Sequence, residues 1–185
     1  WNEMIEKVGK PVDKTEWGMS TPTVNAYYNP SYNEIVFPAG ILQFPFFNKD
    51  ADDAINYGAI GMVIGHEMTH GFDDQGRNFD KDGNMIDWWT QKDADEFNKR
   101  TKLLVDQYSG FVALNDVHVN GELSLGEDIA DFGGLTVSLE AYKLSLEGKP
   151  APKPINGFTD TQRFFLAYAQ LWKGNIRDKA LLRLV

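Results

Sequence analysis

Residues 50–72 repeat apolar side chains at helical spacing, include Gly58, Gly61 and Gly65, and close on His66-Glu67-Met68-Thr69-His70. At 100° per residue the three glycines fall within about 60° of one another. A glycine inside a helix costs roughly 1 kcal/mol relative to alanine, so a stripe of three predicts a neighbour that approaches too closely for side chains. Ile60, Met62, Val63 and Ile64 predict a buried helix, and Asp50, Asp52 and Asp53 suit its positive N-terminal end. The chain must therefore pack a further element against this one.

The H-E-x-x-H pattern lies near the C-terminal end of that helix. Four residues advance 400°, leaving ~40° and ~6 Å of rise between His66 and His70, so both imidazoles can converge on one metal ion. Glu67 sits about 60° around the helix from His70, able to face a water at the metal without being a ligand, which is the placement of a general base. The competing reading is a solvated polar patch, against which stand the apolar residues before the motif, since buried ionisable groups need partners.

A second predicted helix carries Gly126-Glu127-Asp128-Ile129-Ala130-Asp131-Phe132-Gly133-Gly134. Glu127 and Asp131 share a face at i, i+4, and the two glycines remove the bulk that would hold helices apart. Glu127 is read as the third ligand, completing a His₂Glu set with an open position, as catalytic zinc requires. Asp131 is read as the partner that fixes a zinc histidine through its other ring nitrogen. Two carboxylates at this spacing also describe a like-charged solvated face.

The composition excludes several function classes. Of 185 residues, 18 are Lys or Arg and 27 are Asp or Glu, a net charge of −9. Without a basic cluster, nucleic acid and anionic membrane surfaces are poor partners. The absence of cysteine removes disulfides, thiolate metal sites and cysteine nucleophiles. No apolar stretch approaches the ~20 residues of a membrane span. A β-hairpin is expected between Val24 and Phe37 around Asn29-Pro30-Ser31-Tyr32-Asn33. Further helices are expected over 88–108, 124–146 and 160–172. Asp80-Lys81-Asp82-Gly83-Asn84 reads as a tight turn, its glycine being misplaced for a calcium loop. Trp88 and Trp89, with Phe97 and Leu104, read as core, and Asp73 and Asp74 as caps of the preceding helix more than partners of the site.

Several motifs in order make the chain resemble the catalytic domain of the neprilysin and endothelin-converting enzyme family, including bacterial oligopeptidases O. They are Val24 to Tyr28, Ile35 to Gln43, Gly65 to Asp74, Leu125 to Gly134 and Phe164 to Trp172. The resemblance implies zinc, one ion per chain, on His66, His70 and Glu127, with Glu67 as base and Asp131 behind the ligands. It further implies that Asn25 and Ala26 bind substrate backbone, and that Ile41, Phe46, Met62, Val63, Leu171 and Trp172 line the pocket for the residue after the scissile bond. Periodicity alone assigns these apolar positions to ordinary core.

The expected fold is α+β and mainly helical, a thermolysin-like zincin with a small antiparallel β element. Residues 1–185 are read as one zinc metallopeptidase domain, incomplete because the family's helical lid and a C-terminal histidine and arginine are not in the chain. His118 does not match that histidine and reads as structural. The expected activity is zinc-dependent hydrolysis of oligopeptides, cut before hydrophobic residues; the alternative is a zinc-stabilised module that binds peptides without cutting. Compartment is open in the sequence, and the resemblance implies an extracellular, periplasmic or cell-surface setting, with cytoplasmic bacterial members.

Overall fold

The computed structural model describes residues 2–185. After a short helix α1 (Asn2–Glu6) come β1 (Tyr27–Asn29) and β2 (Glu34–Val36), then α2 (Asp53–Asn56), a π turn at Tyr57–Gly61 and α3 (Met62–His70). The chain continues through α4 (Gln91–Ser109), β3 (Val112–Leu114), β4 (Val117–His118), α5 (Leu125–Ser145), α6 (Asp160–Leu171) and α7 (Asp178–Leu181). The described residues are mainly helical, with two two-stranded antiparallel sheets.

β1 and β2 form the expected hairpin, pairing Tyr27 with Val36, Tyr28 with Ile35 and Asn29 with Glu34. The second hairpin, β3–β4, was not expected from the sequence; it turns at Asn115, which adopts φ +52°. Asparagine tolerates this left-handed region because its short side chain can bond locally. The 160–172 helix begins on a capping box in which Thr159 accepts from Gln162 N–H and the Gln162 side chain accepts from Thr159 N–H. Asp80 Oδ1 accepts from the backbone N–H groups of Asp82 and Asn84, both at 2.9 Å, closing the expected tight turn.

The helix expected over 50–72 runs over 53–70 and is not regular. Asp52 caps it by accepting from Ala54 N–H at 3.1 Å, but the backbone widens into a π turn at Tyr57–Gly61. There Ile60 N–H donates to the Phe46 carbonyl at 2.9 Å, and Ser138 Oγ donates to the Tyr57 carbonyl. The widening splits the glycine stripe. Gly58 lies against the Phe164 backbone of α6, whereas Gly61 and Gly65 meet Ser138 and Gly134 of α5. One stripe thus serves two neighbours, because residues in a π turn rotate less per step than those in an α-helix.

α3 and α5 form the main packed pair. A Cβ on Gly134 would lie 2.7 Å from both His66 N and Met62 O, and one on Gly133 2.5 Å from the Thr69 side chain. α6 closes the front of the helix through Arg163, which donates to both oxygens of Asp52 at 3.0 and 3.3 Å. Two apolar clusters result, one of Ala26, Ile41, Ile60, Met62 and Val63, the other of Ala54, Tyr142 and Phe164. Trp88 and Trp89 precede α4 instead of starting it, and Trp88 is 49% exposed, not core. Trp89 and Phe97 instead flank the Arg77 guanidinium, whose carbon is 5.4 and 4.7 Å from the two ring centroids.

Candidate metal and active site

α3 carries the two histidines, α5 the two acidic partners, and their glycine contact brings the helices close enough for these side chains to meet. His66 Nδ1 and Asp131 Oδ1 are 2.7 Å apart, as are His70 Nδ1 and Asp73 Oδ2. A carboxylate only accepts, so each Nδ1 carries a proton, and Nε2 is the ring atom left for a metal or a second proton. The two Nε2 atoms face each other at 2.9 Å. Two lone pairs in this position repel unless a cation or proton lies between them.

Glu127 Oε2 lies 3.4 Å from His66 Nε2 and 3.8 Å from His70 Nε2. Ligand atoms at ~2.0–2.2 Å in a tetrahedral zinc site are roughly 3.3–3.5 Å apart, so these three separations bracket the spacing a zinc ion imposes. Ligand atoms of His66, Glu67 and His70 also lie within 4.8 Å of one another. One oxygen of Glu127 approaches both Nε2 atoms, while Glu67 forms no ion pair with either among the described residues.

Electrostatics agree with a cation site. Burial, the largest single influence, lowers the His66 pKa, but hydrogen bonds to Asp131 and Glu127 and the charges of Asp131 and Glu67 together raise it to about 9. A proton is thus held where a metal would compete for the same lone pairs. Glu67 is 5% exposed, and burial raises its pKa despite the opposing pull of His66 and His70. Glu127 is lowered, chiefly by its hydrogen bond with His66.

The site opens into a cavity of about 500 Å³ lined by His66, Glu67, His70 and Glu127. Residues 24–28, Ile41, Phe46, Met62, Val63 and Trp172 form its other walls. Among the described residues β1 pairs only with β2, and its Tyr27 and Tyr28 line the cavity. Ile41, Met62 and Val63 are core and wall at once, with 2%, 0% and 8% exposure. Leu171 does not line the cavity; it packs behind that wall against the Ala26–Met62 cluster. Asp131 also stands behind His66 and not in the cavity. His118 lies outside it, its Nδ1 2.9 Å from the Ser109 carbonyl oxygen.

Asp73 corrects the cap reading. It is 5% exposed, holds His70 with one oxygen, and accepts with the other from Gln75 and Gly76 N–H at 2.8 and 2.6 Å. Its spacing of i+3 from His70 was the available signal, since such residues are neighbours on a helical turn. Tyr28, a cavity residue, and Tyr168, which bonds to Asp131, had no signal of their own in the sequence.

Two imidazoles on α3, a carboxylate on α5 and a separate buried glutamate thus line one cavity. Residues 25–185 match the model of peptidase family M13, and the chain belongs to that family, the neprilysin and endothelin-converting enzyme family of zinc metallopeptidases. It is 50% identical over 179 residues to an endothelin-converting enzyme homolog of Locusta migratoria, covering 96% of this chain and 24% of that protein. Identity to human endothelin-converting enzyme 1 is 46% over 174 residues, 93% of this chain and 22% of the relative. The chain therefore spans about a quarter of the length of the curated relatives it matches.

Among solved structures, the zinc metalloprotease Zmp1 of Mycobacterium tuberculosis, in complex with an inhibitor, superposes with a TM-score of 0.92 at 52% identity. The match covers 99% of this chain and 29% of that one. PepO of Lactobacillus rhamnosis gives 0.83 at 38% identity, over 96% and 27%. No helix among the described residues is long and apolar enough to cross a membrane.

Proposed function

We propose that this chain carries the centre of a zinc-dependent endopeptidase of the thermolysin-like zincin type, acting on oligopeptides with one zinc per chain. The observation that carries this reading is the pair of Nε2 atoms facing each other at 2.9 Å with Glu127 Oε2 beside both. His66, His70 and Glu127 would hold the ion, and Asp131 and Asp73 would keep both imidazoles in the ligating tautomer. Zinc bound there supplies Lewis acidity and lowers the pKa of water at neutral pH.

The chain's own residues supply the rest. Glu67, buried and with a raised pKa, takes a proton from the attacking water and returns it to the leaving amine nitrogen. Asn25 and Ala26 line the cavity immediately before β1, and their main chain would offer partners to an extended peptide, as strand addition requires. A module that bound without cutting would have no use for an ionisable group buried beside the metal, which favours hydrolysis over simple binding.

Zinc titration of purified variants tests the ligand set. His66→Ala, His70→Ala and Glu127→Ala should each lose tight binding, and chelation should lower the melting temperature of the wild type because the ion binds only the folded site. Stoichiometric tight zinc in Glu127→Ala would remove Glu127 from the set. The cavity walls predict specificity as well: Phe, Leu or Ile should be preferred just after the cut, and Asp or Glu disfavoured, because Phe46, Met62 and Val63 offer a buried carboxylate no partner. A peptide-library profile dominated by acidic residues at that position would refute this pocket.

A further inference from the structure

α6 reaches the metal centre through a single polar contact. Tyr168 Oη donates to Asp131 Oδ2 at 2.9 Å, and the other oxygen of the same carboxylate holds His66 Nδ1 at 2.7 Å. The path from α6 to the metal face of His66 therefore runs hydroxyl, carboxylate, imidazole. The Tyr168 ring packs against the cluster of Ala26, Ile41, Ile60, Met62 and Val63, which backs the cavity. Four residues later on the same side of the helix, Trp172 stands in the cavity wall.

A carboxylate held through one oxygen only can swing about its Cβ–Cγ bond, and the imidazole it restrains would swing with it. With both oxygens engaged, from α3 and α6, the plane of the carboxylate is fixed. We infer that Tyr168 is a positioning residue for the metal centre, clamping the Asp131 carboxylate so that His66 presents Nε2 at the angle His70 and Glu127 require. Burial, followed by the Asp131 charge and the hydrogen bond itself, raises the Tyr168 pKa, so the phenol remains a donor across the neutral range. The same contact locks the helix bearing Trp172 to the helix bearing Glu127, so the specificity wall and the ligand set share one fixed frame. This inference rests on the zinc site proposed above.

The test is a double-mutant cycle on zinc affinity, read by competition with a chromophoric chelator, with the visible absorption of the Co²⁺-substituted chain as a second readout. Tyr168→Phe keeps the ring and its packing and removes only the donor. It should weaken zinc binding about threefold to tenfold, below the ~10–100-fold expected of groups that touch a ligand directly, and alter the Co²⁺ spectrum. In an Asp131→Ala background the same substitution should change neither, since the group it acts through is gone. An equal loss in both backgrounds would make the effect one of general packing and overturn the inference. So would a wild-type zinc affinity and Co²⁺ spectrum in Tyr168→Phe, with the metal site itself left standing. A wild-type chain that binds no zinc overturns the site and the positioning role together.

Discussion

In a zinc-loaded, full-length protein carrying this chain, Glu67→Gln is expected to keep its metal and lose peptidase activity by about 10²–10⁴-fold, the usual cost of removing a general base. The two halves of this result have separate causes. Zinc should stay because the Glu127 oxygen lies 3.4 and 3.8 Å from the two Nε2 atoms while Glu67 pairs with neither, and because Asp131 and Asp73 still orient the rings. Activity should fall because an amide of the same shape has no basic oxygen to take the proton of the attacking water. Folding should be little affected, since a neutral amide is easier to bury than the carboxylate whose pKa burial already raises. Parallel measurement of zinc content and peptide hydrolysis decides it. Near-normal turnover would dismiss Glu67 as base, whereas loss of zinc would return it to the ligand set.

Gly134→Val should do the opposite, damaging the metal site without altering any side chain in it. Its Cβ alone would sit 2.7 Å from His66 N and Met62 O, both backbone atoms of α3 that cannot swing aside like a side chain. The helices must separate, and α3 and α5 are the elements that carry the two histidines and Glu127. Ordinary overpacking costs ~1–3 kcal/mol; a clash between two helix backbones, with two further methyls to place, should exceed it. At roughly 2–4 °C per kcal/mol for a chain of this size, a drop of about 10 °C in melting temperature is expected, together with weakened zinc binding. A wild-type melting temperature and zinc affinity would mean that the helix pair is not held at the observed spacing.

Much of this arrangement is legible in the amino-acid order because its causes are local or periodic. The hairpin at 27–36 announces itself by β-prone runs around turn residues, and α4, α5 and α6 overlap the helices expected over 88–108, 124–146 and 160–172, whereas the caps Thr90 and Thr159 emerge only in the structure. His66, His70, Glu127 and Asp131 declare their relation through two i, i+4 pairs, one on each helix. The π turn was not legible, because its partners, the Phe46 carbonyl and the Ser138 hydroxyl, come from a loop and from a helix distant in sequence. The grip of Tyr168 on Asp131 is of the same kind, spanning 37 residues. Asp73 is a different case: the signal lay three residues from His70, but a helix end gives an aspartate two plausible tasks, and sequence alone does not choose between them. Leu171 and Trp172 are adjacent and apolar, and only the phase of α6 decides that one faces the cavity and the other the core.

The π turn turns counting into a constraint. Asp52 is pinned by Arg163 at one end of the interval and His66 by Asp131 at the other, with the widened turn setting the angular phase between them. Adding or deleting one residue anywhere from 53 to 65 would leave both anchors present yet rotate one against the other by about 100°, swinging the imidazoles away from Glu127. Substitutions along this interval can be graded by size and polarity. A change in its length is all or nothing, so the spacing between these two side chains behaves as a fixed integer of the fold.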